Sequence, residues 1–559
     1  MSANQPVSGA RQDGVVTLSA GSQALHPAVA ERLGRLAPDQ RAAATAPPGP
    51  VLCVAPAGSG KTTTLVARIC WLVAGGADPT RITAVTFNKR AADELGERLS
   101  TALEPLDAAA LPRVRTFHAL GREILAESGA PVRNLVDRAE VLRRLNGGRR
   151  LNGATLRLLD DGFSRLKLDL GLDASAAARL VASDAGQPAL PVPAEVLVRY
   201  VAYEGWLEEQ QALDFDDLVR RALTVLRSDS RTLDSWRDRC ATLLVDEVQD
   251  VDRSQLELAL LLCGERRDIF LVGDDDQTIY AWRLADVRRV LDLAAALPGL
   301  RRVDLVTNYR CPRPVVERAV RLIEGNSERF AKTIRAGPAA SGALGLLPDP
   351  GDELSRARRL LRDWLPAAPG RHAVLARTNA ELAPFAAVAL EQGISYHATE
   401  DGLLLDDPHI DELLDSLPQD RPPAVALART AAGDEIARAM TGWAIGVPTR
   451  QALHEVVARA RIRRAELRRD DAQLILATAH GTKGLEFAHV AVVGMDEGVF
   501  PSRRTLEDAA EPLRALEEER RLAYVAWTRA QESLLLVYDP HSPSPFMREA
   551  FSDAELGVA

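Results

Sequence analysis

Two short segments carry the residue types that bind and cut a nucleoside triphosphate. The first, Ala55-Pro56-Ala57-Gly58-Ser59-Gly60-Lys61-Thr62, leaves an apolar run and enters a helical stretch. It matches the phosphate-loop pattern GxxxxGK[ST], with Ala55 at the first glycine position. Backbone amides across Ala57, Gly58, Ser59 and Gly60 are expected to cradle phosphate oxygens, with Lys61 as a point charge and Thr62 as a hydroxyl ligand for Mg²⁺. The second, Leu243-Leu244-Val245-Asp246-Glu247-Val248-Gln249-Asp250, is an apolar strand ending in carboxylates, where ligands bind in open α/β sheets. Asp246 is expected to hold Mg²⁺ through its water shell, and Glu247 to orient and deprotonate the attacking water. Taken singly, a glycine-rich turn often just starts a helix and an acidic strand end is usually a solvated loop. Together, about 185 residues apart, they read as the two halves of one NTPase site.

Such a site needs a parallel sheet to hold it. Apolar runs followed by helical periodicity recur at 51–56 before 61–74, 82–87 before 91–103, 241–247 before 254–263, and 268–274 before a helix from Thr278 onward. Strand-then-helix alternation of this kind implies parallel sheets covered by helices, an α/β protein. Between Gly129 and Leu213 the pattern turns to helices alone, at 137–145, 154–166 and 194–211, and reads as an insertion in the first α/β unit. A second alternating series follows Tyr309, with strands expected at 373–377, 474–479, 490–495 and 533–538. Residues 417–471, rich in Ala, Arg and Pro, read as helical and too short for another large domain. No solenoid repeat is present.

At 559 residues the chain should hold about three to four compact units, and its composition is that of a folded globular protein. No apolar run reaches the roughly 18 residues of a membrane span, and the start lacks a secretory signal, so a cytoplasmic location is expected. Cys53, Cys70, Cys240, Cys263 and Cys311 form no CxxC pair and are expected as buried, reduced thiols. With a net charge of -9, any polyanion must be met by a local basic groove. Only five of the 69 basic residues are lysines: Lys61, Lys89, Lys167, Lys332 and Lys483. A lysine kept against so strong an arginine bias marks a place where a planar guanidinium fork does not fit.

Further segments carry a family resemblance. Leu36-Ala37-Pro38-Asp39-Gln40 is similar to an LNPxQ motif, Val85-Thr86-Phe87-Asn88-Lys89-Arg90-Ala91-Ala92 to TFTNKAA, and Thr116-Phe117-His118-Ala119-Leu120 to TFHSL. Val272-Gly273-Asp274-Asp275-Asp276-Gln277-Thr278-Ile279-Tyr280-Ala281-Trp282-Arg283 is similar to GDxDQSIYxWRGA, and Asn308-Tyr309-Arg310 to NYR. His480-Gly481-Thr482-Lys483-Gly484-Leu485-Glu486-Phe487 is similar to HxxKGLEF, and residues 518–530 are close to EERRLxYVAxTRA. With the DExQ form of the acidic motif, these resemble the UvrD/Rep/PcrA group of superfamily 1 DNA helicases over most of the chain, roughly Leu36 to Asp539. The resemblance implies two RecA-like lobes of a P-loop NTPase. It assigns 31–128 with 214–308 to lobe 1A, 129–213 to a helical 1B insertion, and 309–416 with 472–545 to lobe 2A. Residues 417–471 become a reduced 2B region, flanked by a flexible lead-in at 1–30 and a tail at 546–559.

The resemblance also implies roles for residues. Gln40 reads adenine, Tyr309 stacks on it, Glu486 touches the nucleotide, and Gln277 and Arg310 sense the γ-phosphate. Arg529 is the finger delivered across the cleft, and Phe87, Asn88, Lys89, His118, Tyr280, Trp282, His480 and Lys483 line the DNA track. Physically, aromatics beside a basic residue suit sequence-neutral strand binding, because every base offers a π face. Taken alone, Tyr280 and Trp282 would read as core residues and Arg529 as a surface charge. Where relatives carry a basic residue after the phosphate loop, this chain has Thr63, which implies looser base selectivity. The expected activity is an ATP- and Mg²⁺-dependent, 3′ to 5′ single-strand DNA translocase or helicase for repair, recombination or phage defence. It would act on single strands and their duplex junctions, with weak unaided unwinding, no fused nuclease, and a nuclease or repair protein as a partner. The alternatives are a nucleotide-gated DNA-binding subunit of a helicase-nuclease complex and, third, an RNA helicase.

Overall fold

A computed structural model of the chain describes residues 25–557 apart from 109, 130–131, 150, 183–191, 266, 339, 399–407, 420 and 431–434. The lead-in expected at the N-terminus lies outside the described residues up to position 24. The first lobe is built on β1 (Val51–Val54), β2 (Ile82–Thr86), β3 (Arg113–Thr116), β4 (Thr242–Val245), β5 (Ile269–Gly273) and β6 (Arg301–Asp304). They pair in parallel in the order β3-β2-β4-β5-β1-β6. β1, β2, β4 and β5 are buried at every position, as strands sandwiched between helices must be, and so appear in the sequence as unbroken apolar runs. All four end at the same edge of the sheet. The phosphate loop, Phe87, Asp246 and the Asp274–Gln277 turn therefore emerge side by side.

The second lobe repeats the plan, and its sheet is again wholly parallel. Its strands run Tyr396–Ala398, Leu474–Thr478, His372–Ala376, Phe487–Val492, Ala530–Tyr538 and Ala343–Pro348 in spatial order. The edge strands of the first sheet escape a reading by apolar runs. Half in solvent, β3 and β6 carry Arg113, Arg115, Arg301 and Arg302. Helices Arg138–Leu145, Gly153–Ser164, Ala174–Ala182 and Ala194–Glu209 form the insertion around Phe163, Tyr200 and Tyr203. Helices Pro423–Thr430, Glu435–Ala444 and Arg450–Leu467 lie against the outer face of the second lobe, where Leu427, Met440, Leu453 and Val457 join its core.

Two expectations are corrected. The helix expected from Thr278 does not form. The chain makes single 3₁₀ turns at Asp275–Gln277 and Ala281–Arg283, Leu284 takes a left-handed φ of 66°, and a helix starts only at Val287. Nor is the end of the chain a tail: helices Pro545–Ala550 and Asp553–Leu556 bury Phe546, Met547, Phe551 and Leu556 in the second-lobe core. Ala57 of the phosphate loop and Ile279 are buried in that same core, so the lobes meet tightly around the loop. All five cysteines are buried free thiols.

Candidate nucleotide and nucleic-acid site

The phosphate loop turns through Gly58 at φ 67° and Gly60 at φ 84°, a backbone region open mainly to glycine. Space demands glycine as well. A Cβ on Gly58 would lie 2.7 Å from Arg310 Cβ and from Asn308 Oδ1, and one on Gly60 would lie 2.5 Å from Gln40 Nε2. The Gln40 amide donates to Ser59 O at 2.8 Å and accepts from the Ala37 N–H at 3.1 Å, so here it braces the loop. The Tyr309 N–H donates to Gly58 O at 2.8 Å, joining the loop to the first residues beyond the sheet. Helix Lys61–Ala74 starts at the loop, so the N–H groups of Lys61, Thr62 and Thr63 have no partner within the helix. Ser59 Oγ is buried and without a hydrogen-bond partner. A cradle of unpaired donors at a helix N-terminus fits a phosphate.

Opposite the loop lie the carboxylates. Asp246 Oδ1 accepts the Glu247 N–H at 2.9 Å, and Lys61 Nζ lies 3.5 Å from Glu247 Oε2. Glu247 is held at φ 51°, a conformation that costs a non-glycine residue about 1 kcal/mol or more and aims its side chain into the cleft. Burial, reinforced by Glu247, pushes the Asp246 carboxyl up to about 7. Burial acts on Glu247 too, but Lys61 and Lys483 outweigh it and hold that carboxyl down at about 2. Among the described residues no cluster of three or more His, Cys, Asp or Glu side chains could hold a metal. Thr62 and Asp246 fit Mg²⁺ only as partial ligands, the rest of its oxygen shell coming from phosphate and water.

A hydrogen-bonded path runs from Glu247 across to the second lobe. Gln249 Nε2 donates to Glu247, and Gln249 Oε1 accepts the Asp274 N–H at 3.0 Å. Asp274 Oδ2 accepts from Gln277 Nε2 at 2.8 Å, and Gln277 Oε1 accepts from Arg529 Nη2 at 3.2 Å. Arg529 is fully buried, its Nε and Nη1 fixed by the Val525 and Leu485 carbonyls at 2.9 and 3.2 Å. Burial and the nearby Arg310 lower its guanidinium to about 10, which leaves it charged at neutral pH. Arg310 pairs with Glu486 at 2.7 Å, and the Tyr309 ring is half exposed beside the loop. Lys61, Asp246, Glu247, Gln277, Arg310 and Arg529 are thereby linked around a single cleft, together with Gln40, Tyr309 and Glu486.

The aromatic residues form a separate surface. The Phe87 and Tyr280 rings stack at 5.2 Å, Trp282 meets Tyr280 edge-on at 6.0 Å, and the Arg283 guanidinium lies 4.6 Å over Trp282. His118 stacks on Phe215 at 4.0 Å. Trp282 is 52% exposed and Phe215 is 56% exposed, so both rings present open faces to solvent. Phe215 has no forerunner in the sequence reading, because an aromatic inside Asp214-Phe215-Asp216-Asp217 looks like a solvated acidic turn. Its carboxylates are in fact neutralised from behind by Arg138, Lys167, Arg220 and Arg221.

The remaining residues expected along the strand take the following places. Lys89 is exposed in the first turn of helix Lys89–Leu103, and Asn88 Oδ1 caps that helix by accepting the Ala91 N–H at 2.8 Å. Burial lowers His118 to about 4 and His480 to about 3, so both are neutral rings at physiological pH. Lys483 does not face an open surface. Its ammonium bonds Asp250 at 2.7 Å and Gln277 O at 2.6 Å, and sits 5.1 Å over the Tyr280 ring. A charge from the second lobe thus touches the nucleotide cleft and the aromatic surface at once.

Parallel α/β lobes clasping a phosphate loop, with an arginine from the second lobe against the first, define a two-lobed P-loop NTPase. The UvrD/REP helicase N-terminal domain matches residues 36–298, and the UvrD-like helicase C-terminal domain matches residues 436–540. The chain is similar to ATP-dependent DNA helicase UvrD2 of Mycobacterium tuberculosis, at 30% identity over 89% of this chain and 77% of the relative. It is 27% identical to ATP-dependent DNA helicase Rep of Salmonella typhimurium, over 89% of this chain and 90% of that protein. DNA helicase II of Escherichia coli is 27% identical over 91% of this chain and 86% of its own length. The chain belongs to the UvrD/Rep helicase family.

Proposed function

We propose that the chain is an ATP-driven motor that moves 3′ to 5′ along single-stranded DNA and opens duplex junctions with modest efficiency. The observation that carries this reading is the unbroken path from Glu247 through Gln249, Asp274 and Gln277 to Arg529, which Lys483 extends to the Tyr280 ring. Lys61 and the loop amides bind the phosphates, with Gln40 and Tyr309 against the base and Glu486 near the sugar-phosphate. When bound through Thr62 and Asp246, Mg²⁺ neutralises charge on the phosphate oxygens. Glu247 takes the proton of the attacking water. A triphosphate draws Lys61 away from Glu247, which raises the basicity of that carboxylate when there is something to hydrolyse. Arg310 and Arg529 neutralise the transferred phosphoryl group from the second lobe, so ATP draws the lobes together and hydrolysis releases them.

Phe87, Tyr280, Trp282 and Phe215 stack on successive bases, with Arg283 as the accompanying cation and His118 and His480 as neutral neighbours. Replacing Phe215 or Trp282 by alanine should weaken binding of a labelled single-stranded oligonucleotide about tenfold, from stacking worth roughly 1 to 3 kcal/mol per base. ATP hydrolysis in the absence of DNA should stay unchanged, and unaltered affinity in both variants would remove these rings from the track. No described helix is long and apolar enough to cross a membrane, and action in the cytoplasm beside a nuclease or repair protein is part of the proposal. Steady-state ATP hydrolysis with and without a single-stranded oligonucleotide tests the whole. Strong stimulation by DNA is expected, whereas equal, negligible turnover in both conditions would leave a nucleotide-gated clamp.

A further inference from the structure

Lys332 belongs to none of the segments that resemble a family motif. It follows helix Arg313–Ile323 in an irregular stretch that ends at the two-residue strand Arg335–Ala336, beyond which lies the edge strand Ala343–Pro348 of the second lobe. Both ends of the stretch lie in the second lobe, yet its middle reaches back into the first. The Phe330 N–H donates to Asp275 Oδ2 at 2.8 Å, and its ring packs on the first-lobe core. Arg329 forks onto both oxygens of Asp276 at 2.9 and 2.8 Å. The Lys332 side chain is completely buried, its ammonium 2.7 Å from Asp274, 2.9 Å from Asp276, and bonded to Asp275 as well.

Three carboxylates from consecutive residues converge on one point. An ammonium, with three donors radiating from a single atom, can serve them all, whereas a planar guanidinium spreads its donors too widely. This explains a lysine in a chain that otherwise uses arginine. The arrangement also has a direction. Asp274 takes Lys332 on Oδ1 and Gln277 Nε2 on Oδ2, which leaves the Gln277 Oε1 facing Arg529. The same residue gives its N–H to Gln249, the partner of Glu247. Charge and dipole alternate along the line: ammonium, carboxylate, amide, guanidinium.

We infer that Lys332 is a positioning residue for ATP hydrolysis. It fixes the Asp274 carboxylate, Asp274 orients the Gln277 amide, and Gln277 aligns Arg529 at the cleft. This rests on the reading of the chain as an ATP-driven motor. A merely structural clamp on the Asp274–Asp276 turn would lower stability and affect all activities alike. A positioning role instead acts on turnover and only through Gln277.

Lys332→Met alone would strand three buried carboxylates with too little counter-charge. The charge-balanced pair Lys332→Met with Asp275→Asn keeps the net charge of the cluster, and Asp275→Asn alone is the control because Asp275 does not touch Gln277. DNA-stimulated ATP hydrolysis is measured on the full chain, beside Gln277→Ala and the three changes combined. The expected result is a kcat lowered at least about tenfold in the charge-balanced pair, as misalignment of a reacting group produces, with KM for ATP within about twofold. Added to Gln277→Ala the pair should cost nothing more, and Asp275→Asn alone should turn over like the wild type. A wild-type kcat in the pair, or losses that multiply with that of Gln277→Ala, would overturn the inference. If the pair does not fold, Asp274→Asn tests the same link. An equal kcat loss that is absent in the Gln277→Ala background supports it, and full activity overturns it. A wild-type chain without DNA-stimulated hydrolysis would instead sink the motor reading, which is a separate result.

Discussion

Arg529→Ala is expected to lower the DNA-stimulated kcat for ATP by about 10³-fold or more, with nucleotide binding held within a few-fold. The magnitude follows from where the guanidinium sits. It is fully buried, so water contributes little screening, and its Nε and Nη1 bonds to the Val525 and Leu485 carbonyls aim it before any nucleotide arrives. Its partners are two carbonyls and the Gln277 amide, so the alanine variant strands no buried carboxylate and should remain folded. Arg529→Lys should recover little, because an ammonium cannot hold two carbonyls and an amide while pointing at a fourth group. Steady-state kinetics with binding of a fluorescent ATP analogue separates the two quantities. A loss of affinity with kcat unchanged would mean that Arg529 holds ground-state nucleotide and adds nothing specific to the transition state.

Glu247→Gln should remove a factor of about 10² to 10⁴ from the same kcat, the range spanned by general base catalysis. Glutamine keeps the shape, and its carbonyl can still accept from Gln249, so a loss would report the carboxylate charge. The Glu247 carboxyl stands at about 2, below its ordinary value, so it is ionised above that pH and would be protonated only as pH falls through it. Between pH 5 and 8 kcat/KM, which reports the nucleotide-free enzyme, should therefore show no acid limb from Glu247. The variant should bind ATP and DNA together and stall, readable as slow dissociation of a labelled strand. Normal turnover would show that another group takes the proton.

How much of this was legible in the sequence depends on whether the governing contacts were local. Buried central strands such as Ile269–Gly273 are continuous apolar runs and could be read directly, whereas the half-solvated edges carrying Arg113, Arg115, Arg301 and Arg302 could not. The stretch from Thr278 has helical spacing, but Lys332, Arg329 and Phe330, more than 50 residues away, pin Asp274–Asp276 and impose tight turns. Arginine bias proved a sharper signal than charge totals. Lys61, Lys167, Lys332 and Lys483 all sit in buried or nearly buried ion pairs, two of them outside any motif. What those two contact could not be read, because their carboxylates come from distant turns and helices. Phe215 stayed hidden for the same reason: Arg138 and Lys167, which neutralise Asp214 and Asp216, lie far away in the sequence.

Hydrolysis between the lobes is expected to produce movement along a strand. The direct measurement is displacement of streptavidin from biotinylated single-stranded oligonucleotides, with the tag at either the 5′ or the 3′ end. ATP-dependent displacement from the 5′ end, lost in Arg529→Ala, is the expected result. Hydrolysis that is stimulated by DNA yet displaces streptavidin from neither end would contradict it.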